Sequence, residues 1–413
     1  MLSPYRVLDL TTERGMFCGQ LLGDLGADVI TIEPPGGAPA RHLGPFYRDV
    51  PHPERSLFWW ALNRNKRSIT LDITHSDGQA ILQRLVASAH FLIESSTPGA
   101  LAAYGLGYDN LAARNPALVY VSITPFGQDG PKAYYADSDL IILAAGGPLI
   151  LTGDDDRPPV RVSVPQAYLH ASAEAAGAAL IAHHERQRSG LGQHVDISAQ
   201  QAVAQATQSG ILAAPLHATE FQRLSGGVRV GELRIRLVWP AQDGYVGILY
   251  FFGAALGPFT RRLMEWIYEE GFCDEATRDK NWHAYIELLM TGQEPLAEYE
   301  RLKLVVEAFT TTKTKLALFR AACERGLLIA PVTTIAEVVE SPQLAARDYW
   351  QHIVHPELGQ PVSYPGAFAQ FSATPITYRR RPPTIGEHNH EVYLNELGFT
   401  AQQLAELQKR GIV

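Results

Sequence analysis

The chain has 413 residues, 46% hydrophobic and 19% charged, with a formal net charge of −8. That length and balance can build well-buried cores in two domains and exclude a disordered chain, while the interspersed charges argue against a nucleic-acid surface. Cys18, Cys273 and Cys323 lie far apart, so neither a disulfide framework nor a thiolate metal site is expected. Apolar runs such as residues 140–150 fall short of the ~20 residues that span a bilayer. The N-terminal residues lack the basic and apolar regions of a secretory signal. A cytoplasmic protein, without membrane or nucleic-acid partners, is the expectation.

Residues 6–10 (RVLDL) are a short β-rich run, and a helical pattern follows the Thr11-Thr12-Glu13-Arg14-Gly15 turn through Leu25. Residues 28–33 supply the next strand, ended by Pro34-Pro35-Gly36-Gly37. Strand patterns at 68–73, 90–94 and 117–124, with a helix at 78–88, continue an alternation that predicts a parallel sheet covered by helices. Glu33 would suit the ribose acid of a dinucleotide site. The first turn, however, reads TTERGMF and has no G-x-G-x-x-G, so Glu33 is expected to be a solvated strand-end carboxylate.

A helix over 165–188, a strand over 194–198 and a helix over 199–214 come next, and then the character changes. Residues 233–239 and 245–250 read as strands joined by a turn at Asp243-Gly244, followed by charged helical segments over 257–325. These form a smaller domain at 225–335. Residues 328–340 return to strand-then-helix, and 349–373 alternate as antiparallel strands with turns at 357–359 and Pro365-Gly366. A Pro- and Arg-rich extended segment (374–391) leads to helices at 390–397 and 400–409. Arg379-Arg380-Arg381 on such a chain is a solvated or interface run.

Several blocks recur in a fixed order: VLDLT, LLGDLGADVITIE and PPGGAPAR near the start, NRNKRSITLDI at 63–73, and SITPFGQDGP at 122–131. LTGDDDRPPVRV and RSGLGQHVDIS flank the long central helix, and PQLAARDYW, HPELGQP and IGEHNHEVYLNELGF lie beyond it. In that order and spacing, over nearly the whole chain, the sequence resembles a family III CoA-transferase of the CaiB/BaiF group. The resemblance implies an α/β fold with a large Rossmann-like domain built from both ends (1–220 and 336–413). A smaller α+β domain (225–335) lies between them, and two chains thread through one another as an interlocked dimer. It also implies coenzyme A or an acyl-CoA as substrate, a carboxylic acid as the other reactant, no tightly bound cofactor and no metal.

By position, Arg41 and Lys66 correspond to the basic residues that face the CoA phosphates, where a guanidinium offers a bidentate fork. Arg14 and Gly15 belong to the first loop of the same cleft, although the usual Ala-Gly-Pro is here Gly15-Met16-Phe17. Ser95 and Ser96 stand where the family often has Asn and an aromatic on the adenine side. The family's nucleophile is one aspartate, which becomes in turn a mixed anhydride and a CoA thioester, a sequence open only to a carboxylate. Counting from Pro158-Pro159 through VRVSVPQAYL, its place is held by Tyr168. A phenol with an ordinary pKa of about 10 is a poor nucleophile at neutral pH.

His170 and Glu174, two and six residues on, are turned about 200° and 240° from Tyr168 around the helix. Asp154-Asp155-Asp156 reads as a solvated loop run, and Asp139 and Asp196 as structural. Trp239 and Tyr250 read as core aromatics. Two readings follow. In one, the chain is a subunit without the nucleophile that pairs with an Asp-bearing paralogue, as two-subunit members of the family allow. In the other it is a self-sufficient CoA-transferase, a homodimer, or an acyl-CoA racemase using another carboxylate. The first explains Tyr168 with fewer assumptions.

Overall fold

Side chains that alternate along each strand decide how the main sheet is covered. Strands β1 (Arg6–Leu10), β2 (Asp28–Glu33), β3 (Lys66–Thr70), β4 (Phe91–Glu94), β5 (Val119–Thr124) and β6 (His194–Ser198) run parallel in the order β3-β2-β1-β4-β5-β6. Val7, Val29, Phe91, Ile93 and Val121 point to one face, against the helices Met16–Asp24, Ala167–Ser189 and Ala199–Ala204. Leu8, Ile30, Leu92 and Tyr120 point to the other, against Ser76–Val86 and Ala401–Lys409. Both faces are buried over the middle of the sheet, which is why β2, β4 and β5 read as largely apolar runs. The computed structural model behind this description covers residues 1–217, 221–230 and 233–413.

The chain divides into two compact units. The first comprises Met1–Leu149, Arg161–Thr219 and Ala345–Val413, and the second Ile150–Val160 and Glu220–Leu344. The segment 150–160 therefore goes with the second unit, and the domain end expected at 220 lies outside the described residues. In the second unit β7 (Gly227–Val230) pairs with β8 (Leu233–Arg236), while β9 (Val238–Ala241), β10 (Gly244–Ile248) and β11 (Ile329–Pro331) form an antiparallel sheet. The single strand expected over 233–239 is thus two. Leu237 and Val238 both donate their backbone N–H to the Gly226 carbonyl (2.7 and 2.9 Å), and the strand changes partner there. Trp239 and Tyr250 are wholly buried in this unit's core, ring against ring at 5.8 Å.

Within the first unit, β12 (Trp350–His355) and β13 (Gln360–Pro365) form the expected hairpin, turned by Gly359 at φ 65°. Downstream residues then cover the edge strand β3. Arg379 donates its backbone N–H to Asn65 Oδ1 (2.7 Å), His388 its N–H to the Ser68 carbonyl (2.9 Å), and Asn389 Oδ1 accepts from Thr70 N–H (2.9 Å). The helix Ala167–Ser189 presents Ala171, Ala175 and Ala179 to the core, all without exposed surface. Side chains this small let it lie close against Met16–Asp24. Gly19 of that partner helix sits directly over Asp9, where an added Cβ would fall 2.1 Å from the carboxylate. Among the described residues no helix is long and apolar enough to cross a membrane.

Asp9 belongs to a fully buried ion pair. Lys66 Nζ lies 2.8 Å from Asp9 Oδ2 and donates also to the Met16 carbonyl (2.8 Å) and Asn63 Oδ1 (2.9 Å). All three of its protons are used, tying β1 and β3 to the start of the Met16–Asp24 helix. Removing one partner of such a pair strands the other charge, at a cost of about 3–5 kcal/mol. Lys66→Ala should therefore lower the unfolding free energy by that amount, read from denaturant curves followed by circular dichroism. Adding Asp9→Asn should recover part of the loss. Equal stability of parent and single variant would show that the pair contributes nothing.

Candidate active site

The order reversal between β1 and β4 leaves a crevice beyond their C-terminal ends, the usual ligand position in an open parallel sheet. Asp9 Oδ1 accepts from Thr11 N–H (3.0 Å) and Thr11 Oγ1 (2.6 Å), bending the chain as it leaves β1. Thr12 N–H donates to Ser95 Oγ (2.8 Å), so the loops after β1 and β4 are tied together. Gly15 then opens the helix, and an added Cβ there would meet the Thr11 methyl at 2.5 Å. This turn sets the position of Arg14.

A second element brings Tyr168 to the same place. Asp139, near the start of the helix Asp139–Ala145, accepts at Oδ1 from the backbone N–H of Gln166 (2.6 Å) and Ala167 (2.9 Å). It thereby caps the helix Ala167–Ser189, whose own N-cap residue Gln166 makes no side-chain cap. Tyr168, in the first turn, donates its hydroxyl to Asp137 Oδ2, and Arg14 Nη2 donates to Asp137 Oδ1 at 2.7 Å. The Asp137 side chain is only 8% exposed. These three groups stand at the polar end of a cavity of about 620 Å³, otherwise walled by residues such as Phe17, Leu43, Phe58, Leu62, Val164 and Leu169.

Burial first, then the hydrogen bond and charge of Asp137, push the Tyr168 phenol well above its ordinary pKa. The nearby Arg14 opposes that shift without reversing it. Tyr168 is thus a neutral donor at neutral pH and offers no oxyanion. Among the described residues no group of His, Cys, Asp and Glu could hold a metal ion.

The other residues singled out in the sequence fall elsewhere. Arg41 has no exposed side-chain surface: Nε and Nη2 donate to Glu33 (2.6 and 2.8 Å), Nη1 to Glu54 (2.8 Å), and the guanidinium lies 3.8 Å over Trp59. Lys66 is closed in its pair with Asp9. Neither presents a free donor to a phosphate, because burying an unpaired cation is costly and each has found partners inside the fold. Glu33, expected in solvent, is 1% exposed and is Arg41's partner, with Ser68 Oγ (2.6 Å) and Ala38 N–H (2.8 Å) as further donors. Ser95 is buried, and Ser96 N–H donates to Glu94 Oε2 (2.6 Å) at the end of β4.

Asp155 of the second unit pairs with Arg234 (2.7 Å) and Arg229 (3.6 Å). Glu174 is exposed and faces a different cavity, beside Asp196, Ser198 and Gln201. Asp196 Oδ2 accepts from Gln128 N–H (2.9 Å). Asp137, which completes the site, stands in no motif of the sequence.

A parallel α/β sheet agrees with what the comparisons with known proteins show. The family model described as CoA-transferase family III matches residues 2–389, and the chain belongs to that family. It is 34% identical, over all of this chain and 98% of the relative, to the Thauera aromatica succinyl-CoA:(R)-benzylsuccinate CoA-transferase subunit BbsE. It is 33% identical, again over all of this chain and 98% of the relative, to the Chloroflexus aurantiacus succinyl-CoA–D-citramalate CoA-transferase. Among solved structures, a CaiB/BaiF family protein from Brucella suis superposes with a TM-score of 0.81 at 28% identity, covering 95% of this chain and 98% of that one.

Tyr168→Phe keeps the ring and strips Asp137 of a donor, so it should cost about 1–3 kcal/mol at neutral pH. The folded-state phenol pKa is raised, so the contribution is complete below the ordinary value of about 10 and is lost as pH rises beyond it, when the unfolded phenol ionises. Denaturant midpoints of parent and variant should therefore stay apart up to about pH 10 and converge as pH rises above it. A gap that widens with pH would contradict this placement of the hydroxyl.

Proposed function

We propose that this chain is a subunit of a CoA-transferase that moves CoA from an acyl-CoA such as succinyl-CoA to a carboxylic acid. It lacks the nucleophile and pairs with an Asp-bearing paralogue, the two forming an interlocked dimer in the cytoplasm. The Rossmann-like unit built from both ends of the chain holds the CoA. Its contacts fall to the loops after β1 and β4, through Arg14, Gly15, Ser95 and Ser96. In the paralogue, the aspartate attacks the thioester carbonyl and expels CoA thiolate, leaving a mixed anhydride. The thiolate then attacks the aspartyl carbonyl, releasing the donor acid and leaving an aspartyl-CoA thioester, and the acceptor carboxylate runs the same exchange in reverse.

One observation supports the division of labour. At the position of the nucleophile stands a phenol whose hydroxyl is bound to Asp137 and held neutral. Such a group forms neither an anhydride nor a CoA thioester. The likeness to BbsE, itself named as a subunit, supports the same arrangement. Asp137 gives a second reading some footing, since it places a carboxylate within one hydrogen bond of the Tyr168 hydroxyl. In that reading the chain is a self-sufficient homodimer with a displaced nucleophile. Both Asp137 oxygens are engaged by donors, which lowers their nucleophilicity and favours pairing.

Mass spectrometry separates the two. Incubated alone with succinyl-CoA, the chain should gain no covalent adduct and exchange no CoA. With an Asp-bearing paralogue added, transfer should appear, with the adduct on the paralogue. An adduct on Asp137 of the lone chain would overturn pairing in favour of the displaced nucleophile. Tyr168→Asp alone would face Asp137 as a like charge, so the double variant Tyr168→Asp with Asp137→Ala is the one expected to gain transfer.

A further inference from the structure

The cavity beside Tyr168 has a specific charge arrangement. Among the described residues that line it, Arg14 is the one cation. Its Nη2 lies on Asp137 Oδ1 at 2.7 Å, so that cation is already matched by a carboxylate of the protein. Glu13 and Asp139 also line the cavity, and Asp139 Oδ2 is buried without a hydrogen-bond partner. The Tyr168 hydroxyl is likewise committed to Asp137. An incoming carboxylate would therefore meet three carboxylates against one cation that is already paired, an arrangement that disfavours it by repelling charge. Apart from Ser138, Ser163 and Ser172 the rest of the wall is aromatic and aliphatic, and the volume of about 620 Å³ lies in the ordinary range for a small-molecule site.

We infer that this cavity binds, without reacting with it, a CoA thioester whose acyl group is uncharged and apolar, and that Asp137 is the residue that excludes dicarboxylic acyl groups. The inference rests on the family reading that this crevice receives the acyl end of CoA. It adds to that reading a ligand class and a specificity-determining residue. Under the pairing proposed above, a succinyl group is exchanged at the partner's site, and this cavity is a separate, unreactive binding site.

Butyryl-CoA and succinyl-CoA isolate the charge, since their acyl chains have four carbons each and differ at the far end by a methyl or a carboxylate. Titration calorimetry on the full chain, alone and mixed with its paralogue, should show butyryl-CoA binding at least about tenfold tighter, the equivalent of about 1.4 kcal/mol. Both thioesters should be recovered intact from the lone chain. Asp137→Ala frees Arg14 and should bring the ratio to about one or reverse it. Asp137→Asn, nearly isosteric, should move it in the same direction and covers the case in which the alanine variant does not fold, checked by circular dichroism.

Equal affinities in the parent, or a ratio unmoved in both variants, would overturn the role of Asp137. Consumption of either thioester by the lone chain would overturn the claim that the site is unreactive. If neither thioester bound the lone chain while the mixed pair still transferred CoA, this inference would fail and the pairing would stand. A mixed pair without transfer, beside a tenfold preference for butyryl-CoA, would do the opposite.

Discussion

The geometry around the cavity hangs on one carboxylate, that of Asp9. One oxygen is the counter-ion of Lys66 and the other shapes the turn at Thr11, so a single side chain joins the middle of the sheet to the loop that presents Arg14. The desolvation of this buried pair is large and is offset only because every lysine proton has an acceptor. Such a network stabilises little in comparison with an apolar core. It fixes instead where the chain can turn. Gly19 belongs to the same constraint, since only a residue without a Cβ lets the following helix lie on that carboxylate.

The sheet was legible because most of its strands are short β-rich runs bounded by turn residues, and the long central helix because motifs frame it on both sides. The antiparallel hairpin at 350–365 was legible for the same reason. The partner change at Leu237 was not, since LRIRLVW carries no turn residue and only a distant acceptor, the Gly226 carbonyl, divides the strand. Tyr168 was reached by counting from PPVRV, and in the structure it lines the cavity.

Charged residues misled in an instructive way. Arg41 and Lys66 sit in loop-like, glycine- and asparagine-rich contexts that suit phosphate binding, and Glu33 ends a strand as a solvated carboxylate would. What the sequence does not display is that Arg41 and Glu33 meet each other, or that the Pro383 carbonyl, far along the chain, takes a further guanidinium proton at 3.0 Å. A buried ion pair and a ligand-binding cation have the same local sequence and differ only in a distant partner. Asp137 was hidden for the converse reason. It lies 31 residues before Tyr168 in a loop with no motif, and acquires meaning only through the hydroxyl and guanidinium that converge on it.

The cover over β3 has a consequence for how the molecule is made. Asn65, Ser68 and Thr70 satisfy their backbone and side-chain groups with residues 379–389, and Ile412 and Val413 are packed into the same side of the sheet as Leu8 and Ile30. A ribosome delivers all of the second unit before any of those residues. The first unit must therefore wait, its edge strand unpaired and one apolar face partly bare, while its neighbour folds in the middle of it. For a chain of this design, the interval between synthesis of β3 and arrival of its cover is the period of greatest exposure to aggregation, and it is set by translation speed rather than by any intrinsic folding rate.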